Sequence, residues 1–418
     1  MHSILLARVS ARTRAGLPKV VALLASLLSP CLLGAGDWPQ WRGPDRDGKV
    51  SGFAVPSNWA GPPARKWKTT VGIGDSTPAM TGERLFAHGR HDTDEVISCV
   101  DATSGQILWS NCYPAEFVVT GPSARHPGPR SSPVVTDGKI CAVGVGGILS
   151  CLNATSGELL WRKKSTSDYL GAPYKFETAA SPIIVDGQCI VFLGGNNKGV
   201  ALAFDLASGE PRWKWEGENP AFASPMLMTV AGVRQLVAFT ARTLISLDIS
   251  SGRLLWSMPF GTPQGINASP VVAVDTLFYT GQGKGLSALK VEKQGDEYKL
   301  TPLWNNSDLS ARFTTPLLKD NRLFGFTGRF FCADATTGRT LWSTTANDGQ
   351  SASLVDAGSV LLALTVKSEL IVFQPDDKAY VELARIKVAD TETWAHPIVA
   401  GKRIFIRDYD SIALWMFE

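Results

Sequence analysis

Several stretches of this chain hold residues whose types and spacing could do chemistry. His88-Gly89-Arg90-His91-Asp92 puts two imidazoles and a carboxylate within five residues, the makings of a metal cluster. It follows the apolar run Arg84 to Ala87, so the plainer expectation is a hairpin loop with solvated side chains. Asp45-Arg46-Asp47-Gly48 looks like the start of a calcium loop but lacks the later oxygen ligands. A turn is expected there. Gly281-Gln282-Gly283-Lys284-Gly285 fits neither a dinucleotide loop nor a phosphate loop. The sequence has no Gly-x-Ser-x-Gly and no Cys-x-x-Cys, which removes the usual signatures of a serine nucleophile, a zinc ribbon and a dithiol.

Charge and composition narrow the class further. Arg8, Arg12, Arg14 and Lys19 precede an apolar stretch, Val20 to Leu33, that exits through Gly34-Ala35-Gly36. A basic segment, a short apolar segment and small residues describe a secretory signal over residues 1–36. The apolar part falls short of the roughly 20 residues of a spanning helix, and Pro30 interrupts it. Leu28-Ser29-Pro30-Cys31 has Pro where a lipoprotein signal wants a small residue, so lipid anchoring at Cys31 is not expected. Those four cations are the only charges in residues 1–36. Of 41 basic and 38 acidic residues, 37 and 38 therefore remain, a net of −1. Electrostatic binding to nucleic acid loses its basis. Six of the seven cysteines lie beyond the signal, too few for a disulfide framework in some 380 residues. Most of them read as buried small hydrophobes, and whether Cys141 pairs with Cys151 stays open.

The elements that must position any site come from a repeat. The pattern [DN]-x-x-[ST]-G-x-x-x-W occurs five times, at Asp101–Trp109, Asn153–Trp161, Asp205–Trp213, Asp248–Trp256 and Asp334–Trp342. Its glycines, Gly105, Gly157, Gly209, Gly252 and Gly338, are spaced 52, 52, 43 and 86, and the last gap is twice 43. A looser copy ending on Trp304 fills that gap. A small or hydroxyl residue plus Pro precedes each unit: Thr77, Ser132, Ser181, Ser224, Ser269, Thr315 and His396 each stand before a Pro. Ala352-Ser353-Leu354 is a weaker eighth start, which gives a mean spacing of about 46 residues.

Each unit reads as four short strands, with Asp or Asn and Gly supplying the last turn and Trp following on the outermost strand. Trp there can pack on the neighbouring unit. Four-stranded units of this length in series predict an all-β, eight-bladed β-propeller. The seventh unit lacks its Trp near residue 385, and the eighth ends too early for a fourth strand. Ala64-Arg65-Lys66-Trp67-Lys68 lies one repeat before Trp109 and is expected to complete that last blade. The domains expected are a signal at 1–36, an extension carrying Trp-Pro-Gln-Trp-Arg-Gly-Pro at 37–63, and the propeller at 64–418. The five motif glycines are read as blade-docking groups, together with Trp67, Trp109, Trp161, Trp213, Trp256, Trp304 and Trp342.

These motifs resemble the pyrroloquinoline-quinone-type propeller repeat over residues 64–418. The resemblance implies either of two activities. One is quinone-dependent dehydrogenation of alcohols or sugars, with the quinone beside a calcium ion on the propeller axis. The other is a scaffold role in outer-membrane barrel assembly. The dehydrogenases carry a disulfide between adjacent cysteines, and this chain has no Cys-Cys pair. No specific ligand supports the quinone or calcium. The reading adopted is an exported, non-catalytic, monomeric module in the periplasm or cell envelope of a Gram-negative-type bacterium. It would bind another envelope protein or a small polar ligand, with no nucleic acid and no membrane span after signal cleavage. The quinone-linked enzyme is the competing reading.

Propeller geometry then nominates residues. Those beside the Pro markers should sit near the channel: Arg130, Lys175, Glu177, Asn267, Arg312, Trp394 and His396. Arg329, Arg407 and Asp408 would reach the same side from late blades. The irregular insert Tyr113 to Arg130 suits a rim loop that carries binding or, equally, a spacer that covers the channel, and the tryptophan leader is expected across the propeller's side or floor.

Overall fold

The computed structural model describes residues 36–56, 59, 63–115, 121–164, 178–195, 198–261 and 266–417, all within the compact unit Leu33–Glu418. The signal and Cys31 lie outside the described residues, as do Lys175 and Glu177.

Thirty-two strands form eight antiparallel sheets of four. Seven blades are sequential, covering 79–114, 134–163, 183–217, 226–259, 271–306, 317–343 and 352–387. The eighth takes three strands from 398–416 and its outer strand, Ala64–Thr70, from the other end of the propeller sequence. That strand pairs antiparallel with Ser411–Met416, Thr70 opposite Ser411 and Ala64 opposite Met416. The expected closure is therefore present.

Burial follows the stacking of blades. Second and third strands read as continuous buried runs, such as Arg84–His91 and Asp94–Asp101, because blades cover both of their faces. The apolar clusters lie between blades rather than inside one. Phe86 and Ile97 of blade 1 meet Ile140 and Leu152 of blade 2, and the same joint recurs round the ring. The leader's Trp38 enters the cluster that joins blades 7, 8 and 1.

The repeat motif supplies the joints. Asp101 Oδ1 accepts the N–H groups of Thr103 (3.1 Å) and Ser104 (2.7 Å), fixing the turn into the outer strand. Each blade of this kind then has a register shift between its third and fourth strands beside that turn, as between Cys99 and Val100, which re-aims the tryptophan. Trp109 leans onto the next blade and donates Nε1–H to Ala154 O. Trp161, Trp213, Trp304 and Trp342 do the same to Leu206, Ile249, Ala335 and Asp376. The motif glycine of the receiving blade lies under each of the first three indoles in turn: Gly157 beneath Trp109, Gly209 beneath Trp161 and Gly252 beneath Trp213. Gly209 and Gly252 hold φ of 72° and 71°, the left-handed backbone that the turn needs.

Two blades depart from this rule. Blade 5 replaces the Asp-Gly turn with a long hairpin, Gly285–Gln294 and Glu297–Asn306, so Trp256 finds no turn carbonyl ahead of it. Its Nε1–H goes back to Gln235 Oε1 at 2.9 Å within its own blade. In blade 7 Ala384 stands at the tryptophan's register, opposite Val372.

Candidate functional site

The hydroxyl-Pro markers that open the blades build the wall of the axial channel. Thr77 N–H donates to Ser132 Oγ, Ser132 N–H to Ser181 Oγ, and Ser181 N–H to Ser224 Oγ, each at 3.0 Å. Ser224 continues to Ser269 at 2.8 Å, and Ser269 to Thr315 Oγ1 at 2.9 Å. His396 N–H closes onto Thr77 Oγ1 at 2.9 Å. These bonds run from blade 8 to blade 6 the long way round. At blade 7, whose marker was the weak one, Thr314 Oγ1 instead bonds the backbone of Ala352. Ser or Thr before Pro was legible as a marker. Its work, stapling one blade to the next, was not.

Inside this wall lies a cavity of about 520 Å³ to which all eight blades contribute. The leader closes one end. Trp38 pairs with Met80 of blade 1, Pro39 O accepts from Val135 of blade 2, and Val50 N–H donates to Asp356 O of blade 7. Between these anchors Arg42 donates to Thr315 O and Pro316 O, both at 3.1 Å, and Arg46 donates to Pro182 O at 3.0 Å. The two guanidiniums thus grip blades 6 and 3 from one short loop, and both residues hold left-handed backbone, φ 60° and 57°. Burial lowers their pKa values, to about 10 for Arg42 and about 9 for Arg46. Trp41, flanked by both guanidiniums, faces the cavity and meets the His396 ring edge-on at 5.9 Å. Asp45 to Gly48 forms the expected turn, with Lys49 N–H on Asp47 Oδ1.

The other end carries the rim. His126, from the insert, sits between two carboxylates: Nδ1 is 3.1 Å from Asp75, and Nε2 is 3.3 Å from Glu392. The hydrogen bond to Asp75 raises its pKa against the effect of burial. Trp394 stands edge-on to both His126 and Phe313, and Arg312 rests over the Phe313 ring at 4.7 Å. Arg130 donates to His126 O at 2.6 Å and so braces the insert. His396 lies deeper, and burial pushes its pKa well below the usual value, with Arg42 adding to the effect.

Of the nominated residues, Arg130, Asn267, Arg312, Trp394 and His396 line this cavity together. Arg125, His126, Trp41 and Asp75 line it too and were not among the nominated set. Arg329, Arg407 and Asp408 do not line it, which corrects the expectation that they reach the mouth. Arg329 is exposed on a hairpin turn. Arg407 is buried and ties blade 8 to blade 1 through Gly72 O and Ser76. Asp408 receives Lys68 Nζ at 2.7 Å and caps its own turn through Ser411 N–H.

The stretch at 88–92 also differs from expectation. The strand runs on through His91, so His88 is fully buried rather than solvated in a loop. It bonds Tyr113 OH at 3.0 Å, and Tyr113 donates to Glu95 at 2.6 Å. Val145 N–H of blade 2 completes the carboxylate's shell. Burial alone would raise the pKa of Glu95, but these partners more than offset it and the net shift is downward. Among the described residues the six cysteines are free thiols: Cys141 and Cys151 face each other across adjacent strands with Cys189 of blade 3 beside them, all three buried.

A quinone beside calcium would need a cage of oxygen ligands. The carboxylates lining this cavity, Asp75 and Glu392, are instead drawn to the imidazole of His126 from opposite sides. Among the described residues no group of three or more His, Cys, Asp or Glu side chains is set to hold a metal ion. The residues present do not fit that cofactor.

Comparison with known proteins follows the same division. The outer membrane protein assembly factor BamB of Yersinia pestis is 24% identical over 372 residues, 82% of this chain and 84% of that protein. The crystal structure of BamB from Moraxella catarrhalis superposes with a TM-score of 0.64 at 16% identity, covering 86% of this chain and 98% of that one. A quinohemoprotein alcohol dehydrogenase from Pseudomonas putida reaches 0.66 at 10% identity, covering 91% and 80%. At such identities the two structural likenesses speak for the propeller fold alone. The sequence profile described as outer membrane protein assembly factor BamB matches residues 92–344, well over half of the chain. This chain belongs to that family.

Proposed function

We propose that this protein is an exported, non-catalytic propeller that serves as an assembly factor for outer membrane proteins, docking to another protein of the cell envelope. One observation carries the reading. Its likeness to an outer membrane protein assembly factor extends over more than four fifths of both chains, beyond what a shared blade motif alone requires. The architecture suits such work: joints between blades are staked by tryptophans and hydroxyl bonds, which gives a rigid ring on which loops can be presented. Residues 1–36 act as the export signal in this reading. No helix among the described residues is long and apolar enough to cross a membrane.

Crosslinking in cells of the source organism, followed by purification through a tag on this chain, tests the docking. The expected yield is a reproducible complex with an envelope protein whose loss impairs outer membrane protein assembly. Recovery of the chain alone from crosslinked envelopes would contradict the proposal.

A further inference from the structure

The cavity has a chemistry of its own that an assembly role does not use. Its rim is cationic. Arg125 and Arg312 line it, and among the described residues neither guanidinium pairs with a carboxylate. The acids at hand, Asp75 and Glu392, are both engaged by His126. The rim is also aromatic, through Trp394 and Phe313. The rest of the lining includes neutral amides and hydroxyls, with Asn267, Gln350, Ser351 and Ser353 around the wall. At the closed end stands the ring of His396, nine-tenths buried. The volume, about 520 Å³, lies within the range of small-molecule sites.

Each feature asks for a different part of one ligand. Unpaired guanidiniums recognise a phosphate or carboxylate. Flat aromatic faces take the C–H face of a sugar ring, and amides and hydroxyls take its hydroxyl groups. We propose that the channel cavity binds an anionic sugar, a hexose-sized ring bearing one phosphate or carboxylate. The anion sits against Arg125 and Arg312, the ring against Trp394, and its hydroxyl groups meet the amides and hydroxyls of the wall. The proposal does not rest on the assembly reading, and its titration involves no protein partner, so the two stand or fall independently.

Calorimetric titration of the purified chain with glucose 6-phosphate, glucuronate, neutral glucose and inorganic phosphate tests it. Saturable binding of one or both anionic sugars is expected, at least about tenfold tighter than glucose or free phosphate. Whichever of the two binds tighter identifies the anion. Arg312→Ala, at an exposed position that carries no blade joint, should weaken the anionic sugars about tenfold or more and leave thermal stability unchanged. Trp394→Ala should weaken all sugar binding. No saturable heat with either anionic sugar would overturn the proposal. So would free phosphate binding as tightly as glucose 6-phosphate, or Arg312→Ala binding like the parent.

Discussion

Trp67 and Gly105 meet at the seam where the first strand of the propeller closes the last blade. A Cβ built on Gly105 would fall 2.6 Å from the indole of Trp67, whose Nε1–H donates to Ala102 O at 3.3 Å. The same fit recurs at Trp161 with Gly209, at Trp213 with Gly252 and at Trp304 with Gly338, where the Cβ distances are 2.7, 2.4 and 2.3 Å. Glycine is required there twice over, for φ near +72° and for the approach of the ring.

Gly338→Ala should therefore destabilise the protein by about 2–4 kcal/mol, because backbone strain and a clash with Trp304 add together. Gly232→Ala is the control: its φ is +78°, but nothing lies within 4 Å of the added methyl. It should cost about 1 kcal/mol. Urea unfolding of the two variants measures the difference, and equal losses would contradict the docking account.

The leader should behave as part of the folded ring. Arg42→Ala removes donors from Thr315 O, Pro316 O and Asp47 O and leaves space beneath Trp41. A loss of about 2–4 kcal/mol is expected, with proteolysis of the native protein appearing first near residues 40–50. Cleavage there in the parent protein at the same rate would mean that the leader is not held.

The two channel histidines should titrate in opposite senses. His126 is held charged by Asp75, with Glu392 helping and Arg130 opposing, so its midpoint should lie above the ordinary value of about 6.5. Its contribution to stability is full below pH about 6.5 and is lost as pH rises through the raised folded value. His396, desolvated and near Arg42, should stay neutral well below 6.5. Its contribution is full above pH about 6.5 and shrinks as pH falls below it. Titration of the imidazole resonances by NMR reads both, and Asp75→Asn should bring the His126 midpoint down.

Thiol accessibility gives an independent check on the core. Cys112 is exposed, whereas Cys99, Cys141, Cys151, Cys189 and Cys332 are buried. Among these six, a thiol reagent added to the native, reduced protein should label Cys112 alone at first. The others should follow only at the rate of unfolding.

Much of the fold was legible because its joints are built from local sequence. The Asp-to-Gly turn, the tryptophan four residues later and the Pro marker all lie within one unit, so counting them gives blades and closure. What escaped depends on partners far away in the chain. Arg42 meets Thr315 across 273 residues, and no pattern near either residue announces it. Arg407 looked like a rim cation, but its guanidinium turns inward to carbonyls 331 and 335 residues away. His88 was read as solvated because a polar run resembles a loop, whereas it is a core residue bonded to Tyr113 and beside Glu95. Arg130, Asn267, Arg312, Trp394 and His396 line the cavity because the marker fixes where each inner strand begins. His126 was seen only as part of a basic insert. The carboxylates that define it, Asp75 and Glu392, come from blades 1 and 8.

The most direct test of the assembly role is the abundance of integral outer membrane proteins in the source organism after deletion of this gene, measured by quantitative proteomics of the outer membrane fraction. The account predicts a broad fall in those proteins, reversed by the restored gene and not by a copy lacking residues 1–36. An outer membrane protein profile identical to that of the parent strain would contradict it.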